Sequence, residues 1–315
     1  MSFSHQLNTE VLASAEFQSL RNGSPLLSLL DILKRSGFVS ASKWNQDYFD
    51  ALQVHLALDQ PPESVVPDAF FPTDEELDMH SEMFMYSTND LKSEHFVLKN
   101  IRDLSRGFYS RLLNVIQAGS TDSLSSVCST SPVSSVSSSR SGSSTATDKA
   151  ECVSEDMLRE LLRYWVDDGK VFSIGGRQLF LSVRTEPIKH GVQFCRRRIS
   201  VVTDGYLSVS DRGDKAKTLS SAVCAFIEAK RHCHRKTDQA ILAQIAGEVI
   251  SVAQYNQSRR PHATPESFGF MVHHRKCSIV SGVFSPNYLA NLENGTGPTV
   301  GDYLILKRTV EYDIG

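Results

Sequence analysis

The sequence predicts an α/β protein: a mixed sheet flanked by helices, preceded by a helical N-terminal region. Three observations carry this. The second half alternates short strand-like runs with one long helical pattern. The first half shows leucine- and aromatic-rich helical periodicity instead. A serine-dominated stretch from Gly119 to Asp148 separates the two.

In the first half, Leu26, Leu27, Leu29, Leu30 and Leu33 predict a helix ending near Gly37. A second helix is expected beyond Ser42, through Trp44, Tyr48, Leu52 and Leu56, stopping before Pro61-Pro62. The acidic run Asp74-Glu75-Glu76 after Pro72 suits the first turn of another helix. A further helix is expected from about Asn89 through Phe96, Leu104, Phe108 and Leu112 to Ile116. No catalytic constellation stands out in this region, which is expected to pack on the second half as a helical cover.

The Ser-rich stretch has almost no large apolar residues and cannot offset its chain entropy by burial. The expected organisation is therefore a helical region over 1–118, a disordered linker over 119–148 and an α/β domain over 149–315. The linker's hydroxyls are candidates for phosphorylation, and a flexible tether is the plainer reading.

After it, Ser154 to Val166 reads as a helix capped by Ser154. Strands are predicted at Val171 to Ile174, Gln178 to Val183, Arg198 to Ser210 and Ala222 to Ala229, with a turn at Gly175-Gly176. A helix follows from about Asp238 to Gln254. Gly269 to His273 and Cys277 to Phe284 suggest a hairpin, with His273-His274-Arg275-Lys276 as its polar turn. Tyr303 to Val310 is the closing strand.

Composition narrows the function classes. The 315 residues are 40% hydrophobic and 22% charged, which suits a folded protein. No run approaches the roughly 20 apolar residues that span a bilayer, so no membrane partner is expected. The polar first ten residues do not resemble a secretory signal, and an intracellular location is expected, cytoplasm or nucleus. The six cysteines are scattered and read as free thiols. The net charge of −3 hides an asymmetry: residues 1–150 carry 11 Lys+Arg against 18 Asp+Glu, and residues 151–315 carry 22 against 18. A mildly basic half is compatible with a polyanionic partner and equally with an ordinary solvated surface. No phosphate-binding G-x-x-x-x-G-K-[ST], no G-x-G-x-x-G and no G-x-S-x-G elbow occurs.

The chemistry concentrates in Phe226-Ile227-Glu228-Ala229-Lys230. Val223, Cys224, Phe226 and Ile227 mark a central strand that delivers two charged side chains at its end. Strand alternation gives Glu228 and Lys230 the same face, and charged residues there need partners or a task. If this strand and the preceding one form an antiparallel hairpin centred near residue 216, Asp204 faces Glu228. Asp211 falls about 23 Å further along at roughly 3.3 Å per residue, so Asp204 is the better partner. Two converging carboxylates suit a hard divalent cation such as Mg²⁺ or Mn²⁺, and Lys230 would position the attacking water or neutralise charge on a phosphate.

Asp204 followed by Glu228-Ala229-Lys230 and then a helix resembles the PD-(D/E)XK nuclease superfamily, most closely the divergent PD-(D/E)XK-like domains found in fungal proteins. The likeness covers about residues 151 to 315. It implies a restriction-endonuclease-like fold and metal-dependent hydrolysis of nucleic-acid phosphodiesters, with Asp204 and Glu228 on the metal and Lys230 assisting. Gln244, on the helix after the E-x-K strand, matches the Gln that often approaches such sites. Thr203 stands where the motif has Pro, and Glu248 rather than Tyr lies four residues after Gln244. The acidic residue of the first helix corresponds to Glu155 or Glu160. The alternative is a catalytically inactive nuclease-like fold that binds nucleic acid or protein.

Plainer readings stand beside these. Glu228 and Lys230 would also serve as a surface ion pair worth little energetically. Gln244 and Glu248 would also form a solvated helix edge beside the stripe Ile241, Ile245, Val249 and Val252. Gly247 is better suited to close helix packing than to chemistry. His232-Cys233-His234 lacks the C-x-x-C companion of a zinc site. Arg196-Arg197-Arg198, Lys230-Arg231, Arg235-Lys236 and Arg259-Arg260 are candidate phosphate contacts or simple solvated charge.

Overall fold

The computed structural model describes residues 29, 31–32, 41, 44–68, 71, 74, 86, 88–93, 103–120, 146–166, 171–174, 177–184, 188–194, 197–211, 222–230, 238–259, 265–273, 275–294, 297–298 and 301–314. Of the expected linker over 119–148, residues 119–120 and 146–148 are helical and belong to the flanking helices, while 121–145 lie outside the described residues. So does most of the predicted Leu26–Leu33 helix. Leu29 and Ile32, however, are buried in the main core. Most of the acidic run also falls outside.

The first helix described along its whole length is α1 (Gln46–Ala51). The predicted helix does not continue through Leu56. Gln53 adopts a left-handed φ of 49°, and the chain then extends as β1 (Val54–Gln60). Tertiary pairing overrides the helical spacing here: β1 lies parallel to β10 (Leu304–Thr309), with Val54 opposite Leu304. Next come α2 (Pro62–Val65), α3 (Thr88–Lys92) and α4 (Asp103–Ser120). The first 118 residues therefore contribute an edge strand as well as helices.

The second half opens with α5 (Ala146–Val166). The helix starts eight residues before the predicted cap, because Lys149-Ala150-Glu151 are good helix formers. Ser154 is consequently inside the helix, and it is buried. Then follow β2 (Val171–Ile174), β3 (Arg177–Arg184), β4 (Ile188–Phe194), β5 (Arg197–Thr203), β6 (Gly205–Asp211) and β7 (Ala222–Lys230). α6 (Asp238–Arg259), β8 (Glu266–His273), β9 (Lys276–Phe284) and α7 (Tyr288–Asn294) lead to β10 and β11 (Tyr312–Asp313). The predicted strand from Arg198 to Ser210 is two strands, broken by a bend at Asp204. Its first part turns away and pairs with β4, a strand the sequence reading did not identify.

The described strands form a large mixed sheet in the order β1-β10-β9-β8-β7-β6-β3-β2, with β11 on β9 and a separate β4–β5 ribbon. The β7–β8 and β1–β10 pairs are parallel, and their neighbours are antiparallel. Alternation along β7 splits the core into two layers. Ala225, Ile227 and Ala229 face α4 and α5, where Tyr109, Leu112, Met157 and Leu158 are buried. Val223 and Phe226 belong to the other core, with α6, Trp44, Tyr48 and Tyr288. There α6 lies between the sheet and the ribbon, whose Val192, Phe194, Ile199 and Val201 cover its outer side. No described helix is long and apolar enough to cross a membrane.

Candidate active site

Three segments distant in sequence meet at the end of β7. The first is the bend at Asp204. Asp204 N–H donates to the Ile227 carbonyl at 3.1 Å, and its Oδ2 accepts the Ala229 N–H at 2.8 Å. The side chain thus replaces the backbone acceptor that the strand gives up as it turns into β5. The β6–β7 register pairs Gly205 with Ile227 and Tyr206 with Phe226. Extended one step past the last pair, this register brings the Asp204 bend beside Glu228. A bulge at Cys224 shifts the pairing only beyond Leu207.

The second segment is the end of β7. Glu228 is 2% exposed, which is rare for a carboxylate lacking a task. It lies opposite Met271 of β8. Lys230 ends the strand opposite His273, at a position of the same parity as Glu228. The placement of the Lys230 side chain lies outside the described residues, as do His232, Cys233 and His234.

The third segment is α6. Gln244 Nε2 donates to Glu228 Oε1 at 2.6 Å and to Glu248 Oε1 at 2.9 Å. One amide nitrogen thus serves two carboxylates. Glu248 is wholly buried. The solvated-edge reading is therefore overturned for Glu248, while Gln244 is half-buried: the helix is covered on both sides, by sheet and by ribbon. Spacing alone made Glu248 a surface residue. The remaining polar stretch of α6, at Gln254 and Asn256, also points to covered backbone. Gln254 bridges Gln193 N–H and carbonyl at 2.9 and 3.0 Å, and Asn256 does the same for Val223.

The contribution of Arg159 from α5 was not legible beforehand. Arg159 donates to the Asp204 carbonyl at 3.3 Å and pairs with Glu155 and Asp156 on its own helix. Glu155 is thereby tied to the Asp204 bend. Glu160 pairs instead with Arg163 at 3.0 Å. The spacing of an arginine four residues after an acid was visible, but its reach across to a bend predicted as straight strand was not.

The donor set suits a hard cation: carboxylate oxygens from adjoining segments at the end of β7. Among the described residues no three His, Cys, Asp or Glu side chains gather as a metal cluster. Were such an ion bound, Asp204 and Glu228 would be the residues to hold it, with water and substrate phosphate completing its shell. Of the arginine candidates, Arg259 closes α6 with its guanidinium 4.5 Å from the Tyr255 ring centroid, a packing role as much as a free charge.

Comparison with protein-family models and with curated proteins finds no match to this chain.

Proposed function

We propose that the chain is a metal-dependent phosphodiesterase of the PD-(D/E)XK type, acting on nucleic acid through a restriction-endonuclease-like domain. One observation carries the reading: the Asp204 carboxylate is bonded to Ala229 next to Glu228 at the end of β7, while Gln244 holds the Glu228 carboxylate at 2.6 Å. In this reading Asp204 and Glu228 hold Mg²⁺ or Mn²⁺. A bound ion supplies an activated water and polarises the scissile phosphate. Gln244 fixes the orientation of the Glu228 carboxylate. Lys230, two positions on, orients the water or offsets charge developing on the phosphate.

The second reading is a nuclease-like fold retained for binding or regulation. The burial of Glu228 favours it, since 2% exposure leaves that carboxylate little approach for a polyanion. Cleavage separates the two. Wild-type protein with Mg²⁺ or Mn²⁺ should nick DNA or RNA, and EDTA, Glu228→Ala and Lys230→Ala should each abolish nicking. Equal nicking by all three proteins would assign the activity to a contaminant and remove the first reading.

A further inference from the structure

The β4–β5 ribbon presents an outward face that neither the sheet nor α6 covers. Its inner residues Val192, Phe194, Ile199 and Val201 are buried, and Phe194 meets Trp44 edge-on with centroids 5.5 Å apart. Gln254 clips the ribbon from beneath through both backbone groups of Gln193. The ribbon is thus fixed by one face only. On the other, Gln193, Arg198 and Ser200 are exposed, and Val202 is 48% exposed.

Charge and shape on that face have one sign and one purpose. Its register positions hold Lys189 and Arg198 and no acidic residue, whereas Arg197 falls at an inward position opposite Phe194, in a chain with a net charge of −3. Lys189 sits at the register position opposite exposed Val202, and Arg198 opposite Gln193. Arg198 lies directly over Gly191. A Cβ on that glycine would come 1.6 Å from Nε and 2.4 Å from Cζ. The missing side chain leaves room for the Arg198 side chain against the strand, and the residue is exposed. A guanidinium is planar and forks a phosphate with two donors. β5 then runs straight into Asp204, about 20 Å from Arg198 at roughly 3.3 Å per residue.

We propose that this outward ribbon face binds the phosphate backbone of nucleic acid, with Arg198 as its contact and Lys189 at a neighbouring outward register position. The proposal rests on the phosphodiesterase reading for its substrate class, so it is tested without cleavage. Full-length protein in EDTA is titrated against a fluorescein-labelled single strand and a duplex across a range of salt concentrations, with anisotropy as the readout. Wild type should bind with strong salt dependence. Arg198→Ala should weaken binding roughly three- to tenfold and make the log–log salt slope shallower by about 1. Arg198→Lys, which keeps the charge, should preserve the slope, and guards against misreading a folding defect. Lys189→Ala should act like Arg198→Ala. Wild-type binding with an unchanged slope in both alanine variants overturns the ribbon surface while leaving the catalytic reading to the nicking assay. Absence of binding by wild type overturns it as well.

Discussion

The Asp204 carboxylate accepts the Ala229 N–H at 2.8 Å, at the point where its own backbone leaves the sheet. This contact lets a single residue end one strand pairing and start another. It also makes Asp204 structural as well as a metal ligand in the proposed mechanism, and substitution can separate the two roles. Asp204→Ala strands the Ala229 N–H and should cost about 1–3 kcal/mol. Asp204→Asn keeps an acceptor oxygen there and should cost less than about 1 kcal/mol. Urea unfolding measures both. If nicking is nevertheless lost equally in the two variants, the charge and not the fold is what catalysis needs.

Gln244 joins two buried carboxylates, and like charges so placed repel. Glu248→Gln removes one charge without changing shape, so it should leave the midpoint of urea unfolding unchanged or raise it. Glu248→Ala instead opens a cavity beside the Gln244 amide and should lower stability by about 1–3 kcal/mol. A glutamine variant as damaging as the alanine variant would show that the Glu248 charge itself is needed in the fold.

The closeness of Asp204 to Glu228 along the paired strands was readable because antiparallel pairing is arithmetic once the loop is placed. Strand alternation likewise identified Glu228 and Lys230 as same-parity positions, and the turn residues located the β8–β9 hairpin. What escaped was set by tertiary contacts. Leu56 fits a helical stripe, yet β10 offers it a strand partner. The bend at Asp204 is announced only by the Asp204-Gly205 pair, a turn signal that the continuous apolar pattern on either side masked, and the side chain's own hydrogen bond to Ala229 fixes it. Glu248 looks solvated on a helical wheel, because the wheel does not show the ribbon that covers α6.

The first half is woven into the second. Tyr288 of α7 donates its hydroxyl to the Leu52 carbonyl at 2.7 Å, and both residues are fully buried. Trp44 and Tyr48 stack 5.3 Å apart in the same core. A fragment of residues 149–315 lacks Trp44, Tyr48 and Leu52 and leaves the β10 edge open, so it should fail to unfold cooperatively by circular dichroism. In the full chain, Tyr288→Phe should cost about 1–3 kcal/mol by stranding the Leu52 carbonyl. A stable, cooperatively folding fragment would make residues 149–315 an autonomous domain.

Gly247 on α6 faces Ala41, and a Cβ there would lie 2.4 Å from the Ala41 Cβ. Both atoms are rooted on backbone, so neither can swing aside. Gly247→Ala should therefore destabilise by about 1–3 kcal/mol through overpacking, despite the better helix propensity of alanine. Adding Ala41→Gly should recover much of that loss, and a double-mutant cycle reads the coupling. Additive effects would mean that the two positions do not touch.

Cys277 offers a pH readout of the sheet's far side. The residue keeps part of its surface exposed, but its sulfur is enclosed against the second core. It is this enclosure that sets its proton affinity, and it pushes the thiol from 9.0 up to about 12. A folded-state value above the unfolded one means that the neutral thiol contributes its full stability below pH 9. That contribution is lost as pH rises from 9 towards 12, by at most about 1.4 kcal/mol per pH unit. It follows that iodoacetamide at pH 8.5 should label exposed Cys224 in the native protein while sparing Cys277. In urea both should react, and peptide mass mapping distinguishes them. Rapid native labelling of Cys277 would mean that the β9–β11 pairing opens readily and that its thiol is not held in the core.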